Sequence, residues 1–109
     1  MKRDPRFGPL VMIGTGGISV EVFHDVSFRL APIRPLSAKN MLETTMGYKL
    51  LKGFRGEPRS DIEALANSIL RLSQLSLDIE AITELDINPL FVYPEGQGIV
   101  AADARILLD

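Results

Sequence analysis

The sequence has no cysteine, which removes disulfides, zinc–thiolate centres and thiol nucleophiles together and fits a reducing compartment. It has one histidine, His24, so a histidine-rich metal site or a Ser-His-Asp triad is hard to build. Neither sign of charge dominates. Twelve Lys and Arg against 14 Asp and Glu leave a net charge of −2, which gives no general field for nucleic acid or anionic lipid. Apolar runs such as Leu10–Ile13 are short, far below the ~20 residues that span a bilayer. The basic start Met1-Lys2-Arg3-Asp4-Pro5-Arg6 is followed by no apolar stretch of signal-peptide length, so the cytoplasm is the expected location. Internal repeats and low-complexity tracts are also missing.

What is present is a chain of 109 residues, 46% hydrophobic and 24% charged. That is room for one domain, residues 1–109, with a core of its own. Strand signals come first, then helices, then strands, which predicts an α+β fold: an antiparallel sheet covered by two helices.

Leu10-Val11-Met12-Ile13 reads as a buried strand running into Gly14-Thr15-Gly16-Gly17. Ile18, Val20 and Val22 alternate with Ser19 and Glu21, and Val26, Phe28 and Leu30 with Ser27 and Arg29. Both have the period of half-buried strands, with Arg29 on a polar face. Ser37 is a suitable N-cap and Gly47 a suitable C-cap for a first helix. The segment from Tyr48 to Pro58, with Lys49, Lys52 and Arg55, reads as a basic loop. Ser60-Asp61-Ile62-Glu63 has the form of a capping box. Ile62, Leu65, Ala66, Ile69 and Leu72 follow at helical spacing, to about Leu77. Ile82 to Tyr93 and Gly98 to Ile106 then read as two strands of a hairpin around Pro94-Glu95-Gly96-Gln97.

Chemistry concentrates in Glu84-Leu85-Asp86-Ile87-Asn88-Pro89-Leu90. In a strand Glu84, Asp86 and Asn88 share a face. A two-residue turn that pairs Pro94 with Gln97 sets Asn88 opposite Asp103, with Cβ atoms about 5 Å apart. An amide oxygen and a carboxylate then converge, with Asp86 nearby, and such hard oxygen donors suit Mg²⁺ when a nucleotide brings further oxygens. The same pattern also fits a solvated polar sheet face, and a bulge or a five-residue loop would send Asp103 to the other side. Gly14-Thr15-Gly16-Gly17 fits either a phosphate-binding nest or a tight turn. Lys49, Lys52, Arg55 and Arg59 fit a phosphate contact or a solvated loop, and His24 reads as an exposed turn residue.

Several segments in a fixed order carry a resemblance. They are Asp4-Pro5-Arg6-Phe7-Gly8-Pro9, Gly14 to Glu21, Asp25 to Pro32, Leu51-Lys52-Gly53-Phe54-Arg55-Gly56, Glu84 to Leu90 and Asp103-Ala104-Arg105. Together they resemble the C-terminal part of the ATP-grasp domain of the NDP-forming acyl-CoA synthetases. That group includes ADP-forming acetyl-CoA synthetase and, more distantly, the β subunit of succinyl-CoA synthetase. The resemblance implies the reversible conversion of acyl-CoA, ADP and phosphate to acid, CoA and ATP through a phosphohistidine. It implies Mg²⁺ and ATP or ADP as cofactors, with Asn88 and Asp103 as Mg²⁺ ligands. Asp86 matches a supporting acidic residue, and Gly16 and Gly17 match a glycine pair beside the phosphate. No residue matches the phosphorylated histidine, so no catalytic residue is assigned. The preceding ATP-grasp half and the CoA-binding and ligase domains are the implied partners, without which the chain is expected to be inactive. The alternative is a non-catalytic interaction or regulatory module derived from an ATP-grasp domain.

Overall fold

The structure, a computed structural model, describes residues 1–15, 25–53 and 55–109. Gly16, Gly17, the expected strand at Ile18 to Val22, and His24 lie outside the described residues. Seven strands and three helices follow in chain order among them. They are β1 (Lys2–Asp4), β2 (Gly8–Gly14), β3 (Val26–Leu30), α1 (Pro35–Glu43), α2 (Tyr48–Leu51), α3 (Ile62–Asp78), β4 (Ile82–Ile87), β5 (Leu90–Val92), β6 (Ile99–Ala101) and β7 (Ala104–Leu108). Five strands make one antiparallel sheet in the order β3-β2-β1-β4-β7, and β5 and β6 make a separate two-stranded ribbon. The expected α+β architecture, an antiparallel sheet covered by helices, is what forms.

The core lies between the sheet and the two longer helices. α1 buries Ala38, Met41 and Leu42, and α3 buries Ile62, Leu65, Ala66 and Ile69, all packed with Val11 of β2. The i, i+3, i+4 spacing of each set puts it on one stripe of its helix. Farther along α3 the stripe turns polar but stays buried at Ser73 and Ser76. The Ser73 hydroxyl accepts the Ile33 N–H at 2.9 Å, and the Ser76 hydroxyl donates to the Ser73 carbonyl at 2.7 Å, so neither burial leaves a polar group unpaired.

Several sequence expectations are corrected. The first helix starts at Pro35 rather than after Ser37, because the fixed φ and missing N–H of proline suit the first helical position. It ends at Glu43, and Gly47 instead precedes α2, one turn of helix inside the expected loop. The cap of α3 is Asp61, whose carboxylate accepts the Ala64 N–H at 3.1 Å, while Ser60 bridges to Pro94. On β3 the period of two holds but the faces exchange. Ile13 pairs with Ser27 and Val11 with Arg29, so Ser27 goes under the helices, while Phe28 and Leu30 join Met12 and Leu10 on the open face.

Both ends of α3 are tied to other elements. At the C-terminus the Arg3 guanidinium donates to the carbonyls of Ser76 (2.6 Å), Ile79 (3.2 Å) and Ile82 (2.9 Å). Of these, the Ser76 carbonyl lies in the last turn of α3, where the helix leaves carbonyls unbonded and favours a cation. At the N-terminus Asp61 also accepts the Gly98 N–H at 2.9 Å, and its own N–H donates to the Tyr93 carbonyl at 2.8 Å. Those bonds pin the tip of the β5–β6 ribbon.

Candidate functional site

The two strands expected from Ile82 to Tyr93 and Gly98 to Ile106 are each broken. β4 pairs with β7, Ile87 opposite Ala104, and β5 pairs with β6, Leu90 opposite Ala101. Between these ladders the backbone keeps step. The Asn88 N–H donates to the Asp103 carbonyl at 3.1 Å, and the Ala102 N–H to the Pro89 carbonyl at 3.0 Å. The turn fixes this step, since the Gln97 N–H donates to the Pro94 carbonyl at 2.9 Å. Asn88 therefore stands opposite Asp103, and both are exposed. Positions opposed in this way bring Cβ atoms to about 5 Å.

The break also changes which side chains turn inward. In β4 the buried positions are Ile82 and Leu85, on either side of an irregularity in the ladder. In β5 it is Leu90 and Val92 that pack against the core, with Ile99 of β6. The inward side passes from odd-numbered to even-numbered residues across Asn88 and Pro89, so the candidate pair sits where the ribbon turns over. Asp86 lies next to it, exposed and opposite Arg105. Glu84 adds exposed ion pairs to Lys2 (3.9 Å) and Arg105 (3.8 Å).

Asn88 and Asp86 also contribute to the wall of a cavity of about 620 Å³. Among the described residues its lining runs from apolar Val11 and Leu65 to polar Thr15 and Thr45. The donor set at the ribbon, an amide oxygen and a carboxylate, is chemically suited to Mg²⁺. Among the described residues no three acidic or histidine side chains gather in a metal-binding group. A cation at Asn88 and Asp103 would thus take its remaining oxygens from a bound phosphate or from water.

The expected glycine pair lies outside the described residues, and its flanks Thr15 and Asp25 lie within them. The Thr15 N–H donates to the Asp25 carbonyl at 3.2 Å, and the Thr15 hydroxyl donates to the Asp25 carboxylate. That carboxylate also accepts the N–H groups of Met46 (2.7 Å) and Gly47 (3.1 Å). Burial alone would push the Asp25 carboxyl up; the bonds from Thr15, Met46 and Gly47 outweigh it and hold it below the ordinary carboxylate range. A side chain at Gly47 would put a Cβ 2.7 Å from the Thr15 hydroxyl. Sequence reading gave Asp25 no role, because its partners Met46 and Gly47 lie about twenty residues away along the chain. The basic residues Lys49, Lys52 and Arg59 are exposed, with the Lys52 ammonium 5.4 Å from the centre of the Tyr48 ring.

A profile of the ATP-grasp domain matches residues 1–108. The chain belongs to the ATP-grasp domain family. Its curated relatives extend the likeness to particular enzymes. ADP-forming acetate–CoA ligase I of Archaeoglobus fulgidus is 48% identical over 108 residues, which is 99% of this chain and 16% of that protein. The β subunit of ADP-forming acetate–CoA ligase I of Pyrococcus furiosus is 48% identical, over 99% of this chain and 46% of the subunit. Among solved structures, the dinucleotide-forming acetyl-coenzyme A synthetase 1 of Ca. Korarchaeum cryptofilum superimposes with a TM-score of 0.92 at 47% identity, covering 99% of this chain and 50% of that one. That structure holds coenzyme A and Mg-AMPPCP, with its phosphohistidine segment pointing towards the nucleotide binding site. This chain is thus homologous to the ATP-grasp part of ADP-forming acyl-CoA synthetases and spans half or less of the relatives it matches. No helix among the described residues is long and apolar enough to cross a membrane.

Proposed function

We propose that this ATP-grasp chain is the C-terminal, Mg-nucleotide and phosphate-side subdomain of a cytoplasmic ADP-forming acyl-CoA synthetase. The observation that carries the reading is the backbone step between the two ladders, which sets Asn88 against Asp103 where the ribbon turns over. In this reading the Asn88 amide oxygen and the Asp103 carboxylate hold Mg²⁺ on the phosphates of ATP or ADP. Asp86 supports them, and Gly16 and Gly17 are the glycine pair of the phosphate site. Bound Mg²⁺ supplies neutralisation of charge on the transferring phosphoryl group. The chain itself orients and holds: its carboxylate and amide sit on paired backbone, so little reorganisation is needed when the nucleotide arrives.

The remaining ATP-grasp half and the CoA-binding and ligase domains complete the site, so the isolated chain does not turn over. The test is ATP formation from acyl-CoA, ADP and phosphate by the assembled enzyme carrying Asn88→Ala or Asp103→Ala. Loss of activity with unchanged assembly supports the reading; wild-type rates in both variants overturn it.

A binding module without catalysis is the second reading. It is favoured by the open sheet face, where Met12 and Phe28 are each 54% exposed. Amide shifts on adding Mg-ADP separate the two: changes at Asn88 and Asp103 support the nucleotide reading, and changes only with a protein partner support the module.

A further inference from the structure

The ladder that sets Asn88 against Asp103 also brings a cation beside them. Along β4 and β7, Glu84 pairs with Leu107, Asp86 with Arg105 and Ile87 with Ala104, with no shift of register over these pairs. The Asn88 N–H bond to the Asp103 carbonyl (3.1 Å) carries the same step one residue further. Alternate residues of an extended strand share a face. Glu84, Asp86 and Asn88 therefore share a side with Asp103 and Arg105, away from buried Leu85.

On this side Glu84 answers two cations. The Lys2 ammonium lies 3.9 Å from its carboxylate and the Arg105 guanidinium 3.8 Å. Neither distance is a hydrogen bond. The Arg105 side chain is 70% exposed, and exposed ion pairs hold weakly. In an antiparallel pair the diagonal neighbours lie about 7–8 Å apart, within reach of a long side chain. For Arg105, opposite Asp86, the two diagonals are Glu84 and Asn88. It leans to the first, and rotation about its own side-chain bonds carries the guanidinium to the second.

A guanidinium presents paired N–H donors that match two oxygens of a phosphoryl group. Charge on a phosphoryl group in transfer spreads over three such oxygens. The inner phosphates of a nucleotide stay in place through turnover, whereas the terminal one arrives and departs. A cation that rests loosely on Glu84 and swings over suits the group that comes and goes. We infer that Arg105 is a catalytic residue whose guanidinium contacts the terminal, transferring phosphoryl group of the nucleotide at Asn88 and Asp103. This rests on the nucleotide reading above and adds to it one residue and one phosphate. In the direction of ATP formation the phosphoryl group leaves a histidine nitrogen, which keeps the P–N electron pair while the other ring nitrogen carries the proton. It bonds to a terminal oxygen of ADP. Arg105 stays protonated throughout and contributes charge alone.

The test is calorimetric titration of the assembled enzyme with Mg-AMPPCP, which has the terminal phosphate, and with Mg-ADP, which lacks it, beside the rate of ATP formation. Arg105→Gln is expected to weaken Mg-AMPPCP by about tenfold and Mg-ADP by less than about twofold, and to cut kcat by about 100-fold. Arg105→Lys, a point charge without the fork, should recover part of both losses. Lys2→Gln, which removes the other cation on Glu84, should change neither affinity. Unchanged affinities in Arg105→Gln overturn the inference, as does equal weakening of the two nucleotides. The same selective loss in Lys2→Gln also overturns it, since general charge would then explain the effect. If Arg105→Gln fails to assemble, Arg105→Lys decides by the same comparison of the two affinities. Asp103→Ala should weaken both nucleotides. If it does so while Arg105→Gln shows no selectivity, the inference alone falls; if it weakens neither, the nucleotide reading falls as well.

Discussion

Beneath the five-stranded sheet, α1 and α3 bury Met41, Leu42, Leu65 and Ile69 almost completely, whereas no residue of the β5–β6 ribbon is buried and Phe91 and Val100 stand open. The layered part is held by apolar area, which is non-directional and adds up over many contacts. The ribbon is held by a few directional bonds at its tip, from Asp61, Arg59 and Ser60, and by the partial burial of Leu90, Val92 and Ile99. The candidate pair belongs to the second regime. Its residues are exposed, so they contribute little to the core, and stability and activity should separate under mutation.

The largest effect expected is on the layered side. Leu42→Ala should lower the unfolding free energy by about 2–5 kcal/mol in a denaturant titration, through lost transfer energy and the void left behind. On the ribbon side, Asp103→Ala should cut ATP formation by the assembled enzyme by roughly 100-fold or more, equivalent to about 2.7 kcal/mol, with an unchanged thermal midpoint. A fall in that midpoint to match Leu42→Ala would erase the distinction between the two regions. Next comes Arg3→Met, which keeps much of the apolar stem but removes the donors from three carbonyls. A loss of about 1–3 kcal/mol is expected in the same denaturant titration.

The smallest effect is a pH dependence at the ribbon's anchor. Bonds from the Ala64 and Gly98 N–H groups hold the Asp61 carboxyl below the ordinary carboxylate range. A carboxyl depressed in the folded state contributes stability above its unfolded pKa of about 3.9 and loses that contribution as pH falls through the folded value. Asp61→Asn should therefore show a smaller drop in thermal midpoint between neutral pH and pH 3 than the parent. Asp25, depressed in the same direction, remains to produce part of that drop.

Much of the layer was legible because its signal is periodic. The stripe from Ile62 to Ile69 has one helical interpretation, and the pairing of Asn88 with Asp103 follows by counting back from the turn at Pro94. What escaped depends on partners remote in sequence. Arg3 reads as one more charge near the start of the chain until Ser76, 73 residues away, presents its carbonyl. The exchange of faces on β3 follows from register with β2, which alternation within one strand does not reveal. The inversion across Asn88 and Pro89 likewise depends on where α3 lies. Ser37 looked like a cap because its side chain suits one, but Pro35 two residues earlier set the start.

The place of β1 has a consequence for how the molecule comes together. The pairing of β2 with β3 and of β4 with β7 each closes over a short stretch of chain. Within the sheet they meet through β1, where Lys2 pairs with Glu84, Met1 and Leu85 exchange backbone hydrogen bonds, and Arg3 donates to the Ile82 carbonyl. Loop closure there spans far more of the chain than in either neighbouring pair and costs the most of the three, so the seam should form last during folding.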